Sequence, residues 1–174
     1  FYATDRDPAT GQQVVLGRVY NRFQEHVPFE QIPESLKSAT IAIEDERFYQ
    51  HPGIDPWGIV RAAVRNVQEQ RLSEGASTLT QQLVRNLLLT RRKTIDRKLQ
   101  EAILALQIER SLTKEQILER YLNEVNYGGN IYGVGAAAKY YFGKTVAKLT
   151  VGESALIAGL PQRPSSTYPF RHPE

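Results

Sequence analysis

"TKEQILERYLNEV" (113–125) is where the fold declares itself. Thr113 and Gln116 stand three apart ahead of an apolar run. That is the spacing of a capping box, in which the hydroxyl takes the Gln116 N–H and the amide reaches back to the Thr113 N–H. Ile117, Leu118, Tyr121, Leu122 and Val125 follow at helical spacing, which predicts a helix with one face buried. Glu119 lies beside that apolar stripe. An acid at the edge of a core is a candidate proton donor or acceptor, and its plainer role is pairing with Lys114 or Arg120. The Gly-rich "YGGNIYGVG" (127–135) breaks the pattern.

Working outward, helices dominate. "TVGESALIAGLP" (150–161) repeats the capping box with Thr150 and Glu153 and stops at Gly159-Leu160-Pro161. In "RKLQEAILALQIER" (97–110) the expected buried side is Leu99, Ala102, Ile103 and Leu106, with Arg97, Lys98 and Glu101 opposite. From Ser77 onward, Leu79, Leu83 and Leu87 mark one side of a helix, and Thr78, Gln81, Gln82 and Arg85 mark another. Asp55-Pro56 reads as a cap and first turn, followed by the stripe Val60, Ala63, Val64 and Val67. Pro33 opens "ESLKSATIAIE" (34–44), with Leu36, Ala39 and Ile43 on one side. The polar "QEQRLSEGAS" (68–77) reads as a mobile loop. The first thirty residues are extended, with one or two short strands around "QQVVLGRVYNRF" (12–23). The fold class is therefore mainly α with a short extended N-terminal segment.

The 174 residues suffice for one domain with a real core, and 41% are hydrophobic, which excludes a disordered chain. No run of apolar residues is long enough to span a bilayer, and no signal peptide is visible. The chain begins with Phe and has no Met, so it reads as processed or as a piece of something longer. Without cysteine there is no disulfide or thiol chemistry. His26, His51 and His172 lack zinc-site spacing. Residues 85–98 hold six cations against Asp96 in a chain whose net charge is +3. A solvated face is the ordinary reading of such a run; an anion site, a nucleic acid or a membrane surface are the functional ones.

Three features remain after packing. Glu44, Asp45 and Glu46 are consecutive in "IEDERFYQHPGID" (43–55), at a helix C-terminus, where the macrodipole disfavours each acid by ~0.3–1 kcal/mol. Ser77, Thr78, Gln81, Gln82 and Arg85 form a face of hydroxyls and amides suited to a hydroxyl-rich ligand. Glu119 supplies a second, separate carboxylate. Two carboxylates are the tools of glycosyl chemistry, whose transition state is oxocarbenium-like. Cations suit a departing diphosphate, where charge grows on the leaving oxygens. A sugar carrying phosphate is the substrate class that uses all three.

Those residues carry a resemblance. "EDERFYQHPG" (44–53), "GASTLTQQLVRN" (75–86), "RKLQE" (97–101), "ILERYLNEVNYGGNIYGVGAAAKYYFGK" (117–144) and "LPQRPSSTYPFRHPE" (160–174) stand in order. The chain resembles the peptidoglycan glycosyltransferase (transglycosylase) domain of class A penicillin-binding proteins and their monofunctional relatives. The resemblance implies a lysozyme-like, mainly α fold spanning 1–174 as one domain, with a large lobe and a smaller, membrane-facing lobe at roughly 55–76. It implies polymerisation of lipid II into β-1,4-linked glycan with inversion and release of undecaprenyl diphosphate, on the outer face of the bacterial cytoplasmic membrane. Lipid II, the growing glycan, the outer leaflet and moenomycin-type inhibitors are the implied partners, and nucleic acid is not. A muramidase or lytic enzyme that cleaves glycan is the alternative on the same fold.

Carried over residue by residue, Glu44 is the base for the acceptor's 4-hydroxyl. Glu119 assists diphosphate departure, directly or through a divalent cation (Mg2+ or Mn2+); no organic cofactor is implied. Ser77, Gln81, Gln82, Arg85, Lys93, Arg97, Lys98 and Glu101 line the groove. Asp45 and His51 hold the turn of Glu44, and Phe48, Thr78, Asn86 and Asn123 complete the substrate-binding set. Arg85 stands where the family usually has lysine, Lys93 where arginine is common, and Gln116 where a basic residue is frequent.

Overall fold

A computed structural model describes residues 2–6, 13–15, 23–68, 77–88 and 95–162. The described helices are α1 (Glu34–Glu44), α2 (Pro56–Gln68), α3 (Leu79–Leu88), α4 (Ile95–Ser111), α5 (Lys114–Glu124), α6 (Val134–Phe142) and α7 (Val151–Gly159). The described strands are β1 (Tyr2–Arg6), β2 (Gln13–Val15), β3 (Phe23–Gln24) and β4 (Ile131–Tyr132). The mainly α expectation holds. The N-terminal stretch carries three strands where one or two were expected. β1 pairs antiparallel with β2, and β3 pairs in parallel with β4, in register Phe23 to Ile131. That fourth strand lies in the Gly-rich stretch the sequence marks only as a break. The loop expected at 68–77 and the closing segment lie largely outside the described residues.

α5 sits at the centre. The Gln116 N–H donates to Thr113 Oγ1 at 3.3 Å, and the Thr113 N–H donates to Gln116 Oε1 at 3.0 Å, so both halves of the capping box form. Ile117, Leu118, Tyr121 and Leu122 are wholly buried in one core with Leu36, Phe48, Leu79, Leu83, Val134 and Ile157. α3 packs on α5, and α7 packs on α1, where Ser35 Oγ meets Ser154 Oγ at 3.0 Å. The chain leaves α5 through Gly133, whose φ is +79°. A Cβ there would stand 2.5 Å from the Asn123 carbonyl oxygen, so only glycine allows this close return.

Several apolar stripes face outward. Leu99 is 63% and Ile103 50% exposed, whereas Glu101 (1%) and Ala105 (0%) take the inner side of α4. The expected orientation of this helix is thus reversed. The physical reason is that Glu101 comes in with its own cations, Arg97 Nε at 3.1 Å and Lys98 Nζ at 3.0 Å. On α2, Trp57, Val60 and Val64 are exposed and Ala62 is buried; the side chains of Ala63 and Val67 lie outside the described set. Leu87 and Ile43 are exposed too, and α3 buries Val84 and Thr80 beside Leu79 and Leu83. Periodicity reveals a stripe but not what covers it. Among the described residues no helix is long and apolar enough to cross a membrane.

Candidate active site

The consecutive acids separate sharply once α1 ends. Asp45 is the C-cap residue, and its carboxylate turns inward. The Gly53 N–H donates to His51 Nδ1 at 3.2 Å, so Nε2 carries the hydrogen and donates to Asp45 Oδ1 at 2.9 Å. Asp45 Oδ2 also accepts from the Leu79 N–H at 3.0 Å, at the start of α3. One buried carboxylate therefore ties the end of α1, the following turn and α3 together. Glu46 is exposed and stands 3.5 Å from Arg61.

Glu44 differs from both. Its Oε2 accepts from Gln82 Nε2 at 2.9 Å, while its Oε1 is buried with no hydrogen-bond partner. Burial pushes the Glu44 carboxyl above the usual carboxylate range. The Gln82 hydrogen bond and the Arg85 charge pull it back, and Asp45 pushes it up again. A carboxylate held by one oxygen, with the other unpaired and its proton affinity raised, has the free lone pairs and the basicity that a general base uses.

From Glu44 a line of polar groups runs across α3 to α4. Gln82 Nε2 also reaches the Ser77 carbonyl at 3.4 Å. Lys98 Nζ donates to Ser77 Oγ at 2.6 Å and to Glu101 Oε2 at 3.0 Å. Arg97 closes the line on the other oxygen of Glu101. Glu44, Gln82, Ser77, Lys98, Glu101 and Arg97 are thus brought together, with Arg85 close enough to act on the Glu44 charge.

Other residues singled out in the sequence are placed differently. Thr78 and Gln81 form a reciprocal cap at the head of α3: the Gln81 N–H donates to Thr78 Oγ1 at 3.2 Å, and the Thr78 N–H to Gln81 Oε1 at 3.1 Å. The Thr78 hydroxyl donates onward to the Gly53 carbonyl at 2.7 Å, and both side chains are buried. Phe48 is fully buried in the core with its ring under Lys114 Nζ. Asn123 accepts from the Val27 N–H at 2.7 Å and donates to the Val27 carbonyl at 2.9 Å, which docks the segment after β3 onto α5. Asn86 is exposed, and Lys93 lies outside the described residues.

Glu119 stands apart from the line. Its Oε2 accepts from the Phe29 N–H at 3.2 Å, and its Oε1 lies 3.3 Å from His26 Nε2. Pairing with Lys114 or Arg120, the plainer expectation, is not what forms. Lys114 instead bonds Glu109 at 2.8 Å and the His51 carbonyl at 2.7 Å. His26 carries no signal in the sequence that would have linked it to Glu119, because the contact spans most of the chain. Among the described residues no three of His, Asp and Glu gather as a metal site. A divalent cation at Glu119 would draw most of its ligands from diphosphate and water, as Mg2+ commonly does.

Fold and site together define a mainly helical domain with one poised carboxylate and a cationic line leading from it. The family profile described as Transglycosylase matches residues 12–174, and the chain belongs to that family. Penicillin-binding protein 1A of Aquifex aeolicus is 50% identical over 149 residues, covering 86% of this chain and 20% of the relative. The Escherichia coli protein of the same name is 53% identical over 144 residues, covering 83% and 17%. A Cupriavidus necator protein whose name carries the word transglycosylase is 50% identical over 149 residues, covering 86% and 64%. The chain thus spans about a fifth of the penicillin-binding proteins 1A it matches. The family and the relative named for transglycosylation support glycosyl transfer and do not favour the glycan-cleaving alternative.

Proposed function

We propose that this domain is a peptidoglycan glycosyltransferase that extends glycan from lipid II. The observation that carries the reading is the unpaired Oε1 of Glu44, of raised proton affinity, beside an oxygen pinned by Gln82. In the reaction, Glu44 takes the proton of the acceptor's 4-hydroxyl as that oxygen bonds to the donor's C1. The bond from C1 to the diphosphate breaks with inversion, and undecaprenyl diphosphate leaves with the electron pair. Arg85, Lys98 and Arg97 offer cations along the line to meet that charge, and Lys98 is anchored for the task by Ser77 and Glu101. Glu119 serves the donor side from its own position beside His26 and Phe29. The substrate's lipid places the reaction at the outer leaflet, with the exposed apolar face of α2 turned to the bilayer. The groove is also where a moenomycin-type phosphoglycolipid would compete.

Glu44→Gln tests the reading. The amide keeps the shape and cannot accept the proton, so polymerisation of purified lipid II should fall by about 10²–10⁴-fold with the fold intact. Glycan synthesis within threefold of the unsubstituted protein would remove Glu44 from the role.

A further inference from the structure

Tyr121 is a wholly buried core residue of α5, and its ring packs where the sequence pattern expects a core side chain. Its hydroxyl, however, ends against α3, where it donates to Gln82 Oε1 at 3.5 Å. The opposite end of the same amide donates to Glu44 Oε2 at 2.9 Å and to the Ser77 carbonyl at 3.4 Å. We propose that Tyr121 is a positioning residue for the glycosyl transfer: with the acceptor-only Ser77 carbonyl at the other end, its hydroxyl holds the Gln82 amide in the direction that presents Nε2 to the Glu44 carboxylate. The inference rests on the reading of Glu44 as the base.

The physical argument is the symmetry of an amide. Its two ends have nearly the same shape and opposite hydrogen-bonding character. While Glu44 is ionised, its charge alone favours the Nε2 end. Once Glu44 has taken the acceptor's proton, its O–H can donate to Oε1, and the inverted amide becomes competitive. Inversion would hold the proton on Glu44 and delay the next turnover. The Ser77 carbonyl can only accept, so it holds Nε2 on the Glu44 side, and the Tyr121 hydroxyl satisfies Oε1 from the far side; together they keep Gln82 a donor to Glu44 in both protonation states. The groups facing Glu44 are Asp45 from its own turn, Gln82 and Arg85 from α3, Tyr121 from α5 and Tyr127 just beyond it. Tyr127 commits its hydroxyl to the Leu122 carbonyl at 3.3 Å, and burial keeps both phenols protonated far above neutral pH. Of the two, Tyr121 reaches the Gln82 amide.

Tyr121→Phe removes the hydroxyl and keeps the ring. With purified lipid II, kcat should fall about 2- to 12-fold, the range that one lost neutral hydrogen bond spans, with KM unchanged. The acid limb of the kcat profile should move to higher pH, because the Gln82 bond that holds the Glu44 pKa down is less well kept. In a Gln82→Leu background the same change should add nothing, since no amide is left to orient. An unshifted acid limb, or an equal loss of kcat with Gln82 absent, would overturn the proposal and leave Tyr121 a packing residue. The two readings fail separately. Activity in Glu44→Gln would sink the base, whereas an inactive Glu44→Gln beside a Tyr121→Phe indistinguishable from the parent would sink only the positioning role.

Discussion

At Glu44 the cost of poising a base is visible. The carboxyl's affinity for a proton is raised in the folded chain, chiefly by burial. The folded state therefore binds more protons than the unfolded state over the interval between the two pKa values, and stability falls as pH rises through the folded value. Glu44→Gln removes this penalty. The variant should melt at or above the temperature of the parent at neutral pH, and the gain should vanish below about pH 4, where both states of the parent are protonated. Thermal denaturation of the pair from acid to neutral pH measures it; a variant less stable than its parent at neutral pH would contradict the raised affinity. The sequence shows three adjacent acids, but it cannot show how the chain turns after α1. That turn commits Asp45 to His51 and the Leu79 N–H, sends Glu46 to solvent and leaves Glu44 with an unpaired oxygen. Only the resemblance singled out Glu44 beforehand.

α5 and α4 mark the two limits of what a pattern reveals about an element. In α5 the cap, the stripe and the central position agree, and every residue of the stripe is buried. In α4 the hydrophobic count favours the wrong side. Glu101 is buried because Arg97 and Lys98, four and three residues before it, travel with it, and such compensation depends on side-chain geometry that a count of apolar residues ignores. Opposite outcomes follow for neighbouring positions. Leu99→Ser should change unfolding free energy by no more than about 0.5 kcal/mol, as for an exposed site. Glu101→Ala should cost about 1.5–3 kcal/mol, the range for hydrogen bonds to charged groups, since the half-exposed Lys98 it leaves behind keeps Ser77 and solvent. Denaturant titration of both variants decides between this orientation and the reverse, in which Leu99→Ser would be the damaging change.

For the molecule as a whole, the unexplained quantity is apolar surface left in water. Trp57, Val60 and Val64 fall on one stripe of α2, all at least half exposed, and Arg61 and Arg65 flank them. An aromatic residue, aliphatic residues and bordering cations on a surface helix form the composition that lies in a bilayer interface, its apolar side among the acyl chains and its cations at anionic headgroups. The proposed substrate is itself anchored in such a surface. A variant with Trp57→Ser, Val60→Ser and Val64→Ser should therefore keep the parent's melting temperature, since these side chains are at least half exposed and nothing among the described residues covers them. It should sediment less with vesicles containing anionic lipid. Its KM for lipid II presented in those vesicles should rise while kcat holds, because the site around Glu44 is untouched and only delivery of the domain to the surface is weakened. Binding of the parent should weaken only in part with added salt, as expected when apolar burial and charge both contribute. Equal sedimentation of parent and variant would show that this face meets something other than a bilayer.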